Sequence, residues 1–386
     1  MKKLLIMASL FWPQKNSGGP PISIMNLVQA VKGKFDISII SKNHEINDDA
    51  PLEEIAPGWN QFDFGRAYYT AKGDHSFGHI TALIEEVAPD VIYQNSFFSV
   101  DDLLPVLVYK KKHKRVKVIV APRGEFYPER IQVGRMKKLV YGKLFRYSGL
   151  LKDVYFQGTG SEECMQEQAF LGIPDNHLLN IQNISLPVRG LQGSMEKTPG
   201  ELKLVYIARI HPTKNTLKAI EWLGGLTGRV QYDIYGSIEN EAYWKQCEEA
   251  IAKLPENITV RYMGVIDHSE VAPTIAGYHA YYMPTTGENF GHSIVEAMLM
   301  GKPVVISDQT PWTDVNGNGG FAIPLGDEKA FVDALGTMVT MDMHTYSALS
   351  ARIADYVRNK LDVDDIIHQY ITAFEGESGW QAKYSV

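Results

Sequence analysis

A chain of 386 residues with 45% hydrophobic residues is long enough to form two domains with separate cores. Its two cysteines, Cys164 and Cys247, lie far apart without metal-binding or redox spacing, which argues against a disulfide framework and for a reducing compartment. The net charge is −7, and the sequence shows no set of aromatic residues that could stack bases in a basic groove. Nucleic acid is therefore a poor candidate partner.

The first residues, "MKKLLIMASLFWP", imitate a secretory signal because two lysines precede an apolar stretch. The apolar run is short, no A-x-A site follows, and "NSGGPP" comes next, which favours a buried strand entering a glycine loop. No stretch approaches the ~18 apolar residues that a membrane-spanning helix needs. We therefore expect a cytoplasmic protein, either soluble or peripheral on the inner membrane face.

Short and nearly continuous apolar runs predict the strands of a first domain. They are "LLIMAS" (4–9), "DISIIS" (36–41), "DVIYQN" (90–95), "VKVIVAP" (116–122), "DVYFQG" (153–158) and "LLNIQN" (178–183). Such runs are typical of parallel strands that are covered on both faces. The stretch 186–201 is polar, contains Gly and Pro without a regular period, and predicts an interdomain linker.

A second set of runs predicts a second domain. Its strands are "LKLVYIA" (202–208), "RVQYDIYG" (229–236), "ITVRYMG" (258–264), "AYYMP" (280–284), "PVVIS" (303–307) and "GFAIP" (320–324). The helix candidates include 239–254, 291–300, 327–340, 344–359 and 362–375. This alternation predicts an α/β protein with two Rossmann-like, doubly wound domains facing across a cleft, 1–188 and 189–359.

Doubly wound sheets bind ligands beyond the carboxyl ends of their strands, so the loops there are the candidate sites. The first is "SGGPP" (17–21), whose Gly18 and Gly19 precede a predicted helix. Glycines let the backbone approach a phosphate at a helix start, although a tight turn explains them equally well. The stretch is not a G-x-G-x-x-G pattern, which argues against a nicotinamide cofactor.

The second loop is "IARIHPTKN" (207–215), directly after a predicted strand. Its Arg209 and Lys214 combine a forked cation with a point charge, which suits a pyrophosphate. The alternative is a solvated loop with ordinary surface charges.

The third loop, "TTGENFGHSIVEAMLMGKPVVIS" (285–307), carries Glu288 before a predicted helix and Glu296 within it. A helix start stabilises anions, and carboxylates accept hydrogen bonds from ligand hydroxyls. A ligand that carries both phosphates and hydroxyls is typically a sugar nucleotide, so the three loops together suggest this class of ligand. The alternative makes Glu288 a helix cap and Glu296 a solvated helix glutamate.

Taken together, these motifs resemble the retaining GT-B glycosyltransferases of family 4. The resemblance is carried by Glu288-x7-Glu296 followed by "AMLMGKPVV", by the earlier "ARIHPTKN", and by "SGGPP" near the start. Within that family, "APRGEFYP" and "TPW" look like the branch that builds bacterial surface polysaccharides. The order and spacing match over residues 3–375.

The resemblance implies a hexosyltransferase whose donor is a nucleoside diphosphate sugar, UDP- or GDP-linked, with no cofactor and no metal. Arg209 and Lys214, with Gly18 and Gly19, would bind the diphosphate. Glu288 would hold the transferred sugar and Glu296 the ribose. Other donor-binding positions would be Asn289, Phe290, Gly291, Ile294 and, beside the nucleobase, Gly264. It also implies that a C-terminal helix, about 360–386, crosses back to the first domain.

Three positions depart from the family pattern. Where many members carry a histidine before a glycine, this chain reads "PRGEF", so Arg123 and Glu125 stand there. They would act on the sugar or acceptor as catalytic-site groups, or form a structural ion pair. The role of Asn183 is open because the usual glycine does not follow it, and Ala208 replaces a usual glycine with little expected effect.

Residues 101–150 carry 13 basic and 4 acidic residues, which suggests an anionic partner. The stretch 109–117 fits the solvated end of a helix that runs into a strand. The stretch 130–147 alternates basic and apolar residues, so it fits either a core-packed helix with a charged outer face or a contact with an anionic membrane or diphosphate-lipid acceptor. The acceptor would be a glycan or lipid-linked glycan.

Two other functions share this scaffold. A sugar-nucleotide 2-epimerase would need its own acid/base carboxylates and histidines, and the sequence offers no matching set. A non-catalytic subunit that binds sugar nucleotides would be expected to lose some of Arg209, Lys214, Glu288 and Glu296, which are all present.

Overall fold

The computed structural model describes residues 1–14, 19–45, 50–186 and 195–376. The chain forms two compact units: unit 1 is Met1–Ile184 with the segment that starts at Val363, and unit 2 is Ser185–Asp362. The predicted boundary at 188/189 and the end of the predicted C-terminal helix, 377–386, lie outside the described residues.

Unit 1 is built on an eight-stranded sheet in the order β3-β4-β2-β1-β5-β6-β7-β8. Its strands are β1 (Lys2–Met7), β2 (Phe35–Lys42), β3 (Gly58–Phe62), β4 (Gly65–Thr70), β5 (Val91–Asn95), β6 (Lys117–Ala121), β7 (Val154–Gly158) and β8 (Leu178–Asn180). All pairings are parallel except that of β3 with β4. All six predicted strands of this unit are confirmed.

The hairpin of β3 and β4 was not predicted. Its outer strand, Gly58–Phe62, is only partly buried and has no continuous apolar run, because it lies at the edge of the sheet. By contrast, Leu4 to Met7 in β1 are fully buried, as the apolar run indicates for a central parallel strand.

The helices of unit 1 come from both ends of the chain. They are α1 (Gly19–Val31), α2 (Phe77–Val87), α3 (Val100–Lys112), α4 (Pro128–Gln132), α5 (Arg135–Ser148), α6 (Ser161–Leu171) and α13 (Val363–Glu375). The ring of Phe374 in α13 lies 5.6 Å from the rings of Phe35 and of Tyr93. The Lys117 ammonium donates to the Ala373 carbonyl at 2.5 Å, so the last described helix is part of the core of unit 1.

Unit 2 has a fully parallel six-stranded sheet in the order β11-β10-β9-β12-β13-β14. Its strands are β9 (Glu201–Ile207), β10 (Arg229–Tyr235), β11 (Ile258–Gly264), β12 (Ala280–Met283), β13 (Val304–Ser307) and β14 (Phe321–Ile323). Its helices are α7 (Thr216–Leu223), α8 (Glu241–Ile251), α9 (His268–Ala276), α10 (His292–Leu299), α11 (Glu328–Thr340) and α12 (Met343–Lys360). The six predicted strands and the predicted helices are confirmed, and both units are doubly wound α/β folds.

Candidate active site

The strand order of unit 2 reverses between β9 and β12, which are paired neighbours in the sheet. A parallel sheet of this kind binds ligands in the crevice outside the strand ends at such a reversal. The loop after β9 carries Arg209 and Lys214, and the loop after β12 carries Glu288. The fold therefore brings the predicted diphosphate-binding and sugar-binding residues to one place.

Hydrogen bonds join these two loops to each other. The Thr213 carbonyl accepts from the Thr285 hydroxyl at 3.0 Å and from the Thr286 amide at 2.8 Å. The side-chain amide of Asn215, a residue with φ of 57°, donates to the Pro284 carbonyl at 3.0 Å. Lys214 lies between Thr213 and Asn215, so its backbone position is fixed against the second loop.

Lys214 and Glu288 form an ion pair between the Lys214 ammonium and Glu288 Oε2. Their side chains are 12% and 19% exposed, so the pair is half-enclosed but reaches solvent. The N-cap of α10 is Gly291, and no side chain in the described part of the chain caps this helix. The alternative that Glu288 is a helix cap is therefore wrong.

Gly291 lets the chain turn tightly between Glu288 and α10. Its φ is +76°, and a Cβ there would lie 2.9 Å from the Ile294 side chain and 3.0 Å from that of Glu288. The Phe290 carbonyl accepts a 2.6 Å hydrogen bond from the indole of Trp312, the tryptophan of "TPW". The backbone around Asn289 is thus held from both sides, and this is where the resemblance implies donor binding.

Glu296 lies in α10 and is 8% exposed, so the alternative of a solvated helix glutamate is wrong. Its Oε1 lies 2.9 Å from Nε2 of His268, the first residue of α9. The hydrogen bond and the charge of Glu296 raise the pKa of His268 above its ordinary value. His268 was not among the predicted site residues.

Arg209 has a carboxylate partner that the sequence did not indicate. Its Nη1 donates to both oxygens of Glu239, at 2.7 and 2.9 Å, and the two side chains are 34% and 31% exposed. Glu239 follows Gly236, where a Cβ would lie 1.9 Å from the Ala208 carbonyl. Gly236, directly after the neighbouring strand, therefore allows the two backbones to approach closely. A glycine is not needed at position 208, and Ala208 fits there.

Gly264 ends β11 and accepts a 2.9 Å hydrogen bond from the Gly236 amide on its carbonyl. The side chains of Tyr262, Met263 and Val265 around it are 39 to 48% exposed. The strand end where the resemblance places the nucleobase is therefore open and partly apolar.

The predicted site residues of unit 1 are Gly18, Gly19, Arg123 and Glu125, and the described ones are not held by ion pairs as those of unit 2 are. Gly18 lies outside the described residues, and Gly19 is the first residue of α1. Arg123, with φ of 57°, donates from Nε to the Asn95 side chain at 3.1 Å, from Nη2 to the Tyr93 hydroxyl at 2.9 Å, and from Nη1 to the Asn183 side chain. Asn183, whose role was open, thus holds Arg123.

Glu125 shapes the loop after β5. It accepts from the Ser96 hydroxyl at 2.5 Å, from the Phe97 amide at 2.6 Å and from the Phe98 amide at 3.2 Å. Burial raises its pKa, although these hydrogen bonds oppose the rise. Among the described residues neither Arg123 nor Glu125 forms an ion pair, so the ion-pair alternative is wrong, and hydrogen bonds within unit 1 hold both side chains instead.

A second buried network in unit 1 involves residues that the sequence does not single out. Nε2 of His75 lies 2.6 Å from Asp102 Oδ1, and the other oxygen of Asp102 accepts from the Ser99 hydroxyl at 2.6 Å and from the Ser9 hydroxyl. Burial alone would raise the pKa of Asp102, but the hydrogen bonds and the charge of His75 lower it below its ordinary value. Side-chain pairing across three loops leaves no local sequence pattern.

Within the described residues, no three His, Cys, Asp or Glu side chains gather closely enough to hold a metal ion. The same residues include no helix with the length and apolar character to cross a membrane.

Residues 201–341 match the family described as glycosyl transferases group 1. A phosphatidyl-myo-inositol mannosyltransferase of Mycobacterium leprae (strain TN) is 36% identical over 87 residues, 22% of this chain and 23% of the relative. The O-antigen chain mannosyltransferase B of Escherichia coli is 27% identical over 146 residues, 36% of each chain. The matched regions thus span about a quarter to a third of these curated relatives.

Solved structures match over nearly the whole chain. Anabaena HepE in complex with UDP and glucose has a TM-score of 0.72 at 16% identity and covers 98% of this chain and 100% of its own. Sucrose-phosphate synthase from Thermosynechococcus elongatus has a TM-score of 0.73 at 14% identity, covering 97% and 99%. The lipopolysaccharide outer core galactosyltransferase WaaB has a TM-score of 0.60 at 17% identity, also covering 97% and 99%.

These likenesses confirm the predicted GT-B fold class. The match of residues 201–341 to the group 1 glycosyltransferases agrees with the resemblance that the sequence motifs carry. The family match and the two curated relatives are all glycosyltransferases, and none of them is an epimerase or a non-catalytic subunit.

Proposed function

We propose that this protein moves a sugar from a nucleoside diphosphate donor to an acceptor hydroxyl. Its GT-B fold and the match of its second unit to the group 1 glycosyltransferases support this activity. Configuration at the anomeric carbon would be retained, and no metal would take part. The observation that carries this proposal is the gathering of Arg209, Lys214 and Glu288 at the ends of β9 and β12. The solved complexes with UDP and UDP-glucose support a nucleotide-sugar donor.

The donor diphosphate would bind Arg209 and Lys214 by replacing carboxylates. In the structure Arg209 is held by Glu239, and Lys214 is held by Glu288. A phosphate oxygen can take the place of each carboxylate, so the cations exchange one anion for another without becoming unpaired. Charge that develops on the leaving diphosphate is then stabilised by groups already in position, the kind of contribution that is often largest in catalysis.

Release from Lys214 would free Glu288 to accept hydrogen bonds from the sugar hydroxyls. As the bond between the anomeric carbon and the phosphate oxygen breaks, the acceptor hydroxyl oxygen bonds to that carbon. The leaving phosphate would accept the hydroxyl proton, and both events would occur on one face of the sugar. Glu296, buried and placed by His268, would bind the ribose hydroxyls.

We propose a UDP- or GDP-hexose as donor and a glycan or lipid-linked glycan as acceptor, in bacterial polysaccharide assembly. The mannosyltransferase and galactosyltransferase relatives support a hexose. The positive excess of residues 101–150 supports an anionic acceptor.

A panel of UDP-, GDP-, dTDP- and ADP-sugars, screened by thermal shift and saturation-transfer NMR, tests the proposal. We expect one nucleotide series to raise the unfolding temperature of the wild type and to show contacts at both base and sugar protons. Arg209→Gln should weaken that binding, whereas Arg358→Gln, a change at an exposed cation of α12, should not. Absence of binding to every sugar nucleotide would contradict the proposal, and formation of a new epimer from donor alone would replace it with an isomerase.

A further inference from the structure

Helix α5 exposes a stripe of large apolar side chains. Met136 is 73% exposed, Val140 54%, Leu144 65% and Tyr147 79%, and Val133 just before the helix is 74% exposed. Spacings of three and four residues place the four side chains of α5 within one narrow face of a helix that turns about 100° per residue. Contiguous apolar surface of this kind marks an interaction site.

The opposite face of α5 is packed into unit 1, so the stripe cannot rotate inward. Phe145 is buried, and the Tyr141 hydroxyl donates to the Phe97 carbonyl at 3.1 Å. Gly142 lies so close to Phe170 that a Cβ would come within 2.3 Å of its ring. The sequence-based alternative of a core-packed helix describes this inner face, but the outer face is apolar rather than simply charged.

Basic residues border the stripe, and α5 has no acidic residue. On the helical wheel Lys137 lies at one edge of the stripe and Lys143 at the other, with Arg135 and Arg146 beyond Lys143. Among the described residues, Arg135, Lys137 and Lys143 form no ion pair with a carboxylate. Their charges are therefore available to an external anion.

We propose that this surface, Val133 with α5, docks on an anionic phospholipid bilayer. The apolar stripe would enter the boundary between headgroups and acyl chains, and the bordering cations would lie at the lipid phosphates, as in interfacial amphipathic helices. A second copy of the chain is a less suitable occupant, because a self-paired α5 would bring two sets of unpaired cations together. The inference does not depend on the proposed transferase function, because the stripe contains no residue of the donor site.

Flotation with vesicles tests the lipid contact. Wild-type protein should float with vesicles of phosphatidylglycerol and phosphatidylcholine, should not float with phosphatidylcholine alone, and should be released by high salt. Lys137→Gln with Lys143→Gln should weaken partitioning roughly 30-fold, about fivefold for each cation. Lys111→Gln with Lys112→Gln removes the same charge from the end of α3 and should leave partitioning nearly unchanged.

The apolar contribution has its own pair of variants. Val140→Gln with Leu144→Gln should abolish flotation, whereas Phe77→Gln with Val100→Gln, at residues that are 46% and 43% exposed elsewhere in unit 1, should not. An unfolding temperature equal to that of the wild type in all four double variants would show that the fold is intact.

A label reports depth directly, because both native cysteines are buried. An environment-sensitive dye on Leu144→Cys should brighten and shift to the blue with anionic vesicles, whereas the dye on Phe77→Cys should not. Equal flotation with neutral and anionic vesicles, no flotation at all, or a dimer in sedimentation that the Val140/Leu144 variant disperses would each overturn the proposal.

Discussion

The polar side chains near the carboxyl ends of the strands differ in solvent exposure between the two units. In unit 2 the ion pairs at the carboxyl edge reach solvent: Arg209 and Glu239 are 34% and 31% exposed, and Lys214 and Glu288 are 12% and 19% exposed. In unit 1 the side chain of Asp102 is fully buried and that of its partner His75 is 8% exposed. Both sets of strand ends are rich in polar residues, but of the pairs compared only those of unit 2 are open enough to meet a ligand.

The difference follows from the cost of exchanging a partner. A partly exposed ion pair contributes little net free energy, typically 0–1 kcal/mol, so a phosphate can replace its carboxylate cheaply. Removing one member of a buried pair leaves an uncompensated polar group and costs about 3–5 kcal/mol. We infer that exchangeable pairs indicate ligand binding, whereas closed networks indicate that a loop is being held in shape.

The largest expected effect is on turnover in unit 2. Lys214→Ala and Glu288→Ala should each lower kcat by at least about 100-fold, the range seen when one group that stabilises developing charge is removed. The measurement is release of the nucleoside diphosphate in the presence of acceptor. Lys218→Ala, at an exposed lysine of α7, is the matched control, and near-normal turnover in either site variant would remove that residue from the site.

The next largest effect is on the stability of unit 1. Asp102→Ala should lower the free energy of unfolding by about 3 kcal/mol, since His75 and two serines lose a buried acceptor. Asp101→Ala, at the exposed neighbour in the same helical turn, should change it by less than about 0.5 kcal/mol. Urea titration measures both. Equal effects of the two changes would contradict the closed network.

A smaller effect is expected at Arg209. Glu239→Gln removes the carboxylate that competes with the donor, so affinity for UDP or GDP should rise about threefold, within the range of an exposed ion pair. Glu241→Gln, in the first turn of α8, removes the same charge nearby without touching Arg209. Isothermal titration decides the case, and unchanged or weaker nucleotide binding by Glu239→Gln would show that this pair does not exchange.

The smallest effect is a pH dependence at His268, whose side chain is 44% exposed. Because the hydrogen bond and charge of Glu296 raise the pKa of His268 above 6.5, the pair stabilises the fold fully below that value. The contribution is lost as pH rises through the raised pKa. The difference in unfolding free energy between wild type and His268→Gln should therefore shrink from acidic to alkaline pH, and a difference that grows instead would contradict the pairing.

Much of the fold and part of the site were predictable from the sequence. Apolar runs revealed the parallel strands, and the position of Arg209, Lys214 and Glu288 after two of those runs predicted that they lie at the ends of neighbouring strands. The edge hairpin was missed because a half-exposed strand leaves no continuous apolar run. Glu239 and His268 were missed because each follows a different strand, and only the side-chain directions in the folded unit bring them to Arg209 and Glu296.

The position of α13 has a consequence for synthesis of the chain. Unit 2 is contiguous in sequence, so it can complete its core as soon as it leaves the ribosome. Unit 1 cannot, because Phe35 and Tyr93 wait for Phe374, which is translated hundreds of residues later. At roughly 5–20 residues per second, an unfinished apolar surface persists for tens of seconds while the rest of the chain is made. Unit 1 thus begins to be synthesised before unit 2 but completes its core after it. Chaperones therefore have the longest time to bind the exposed apolar surface of unit 1.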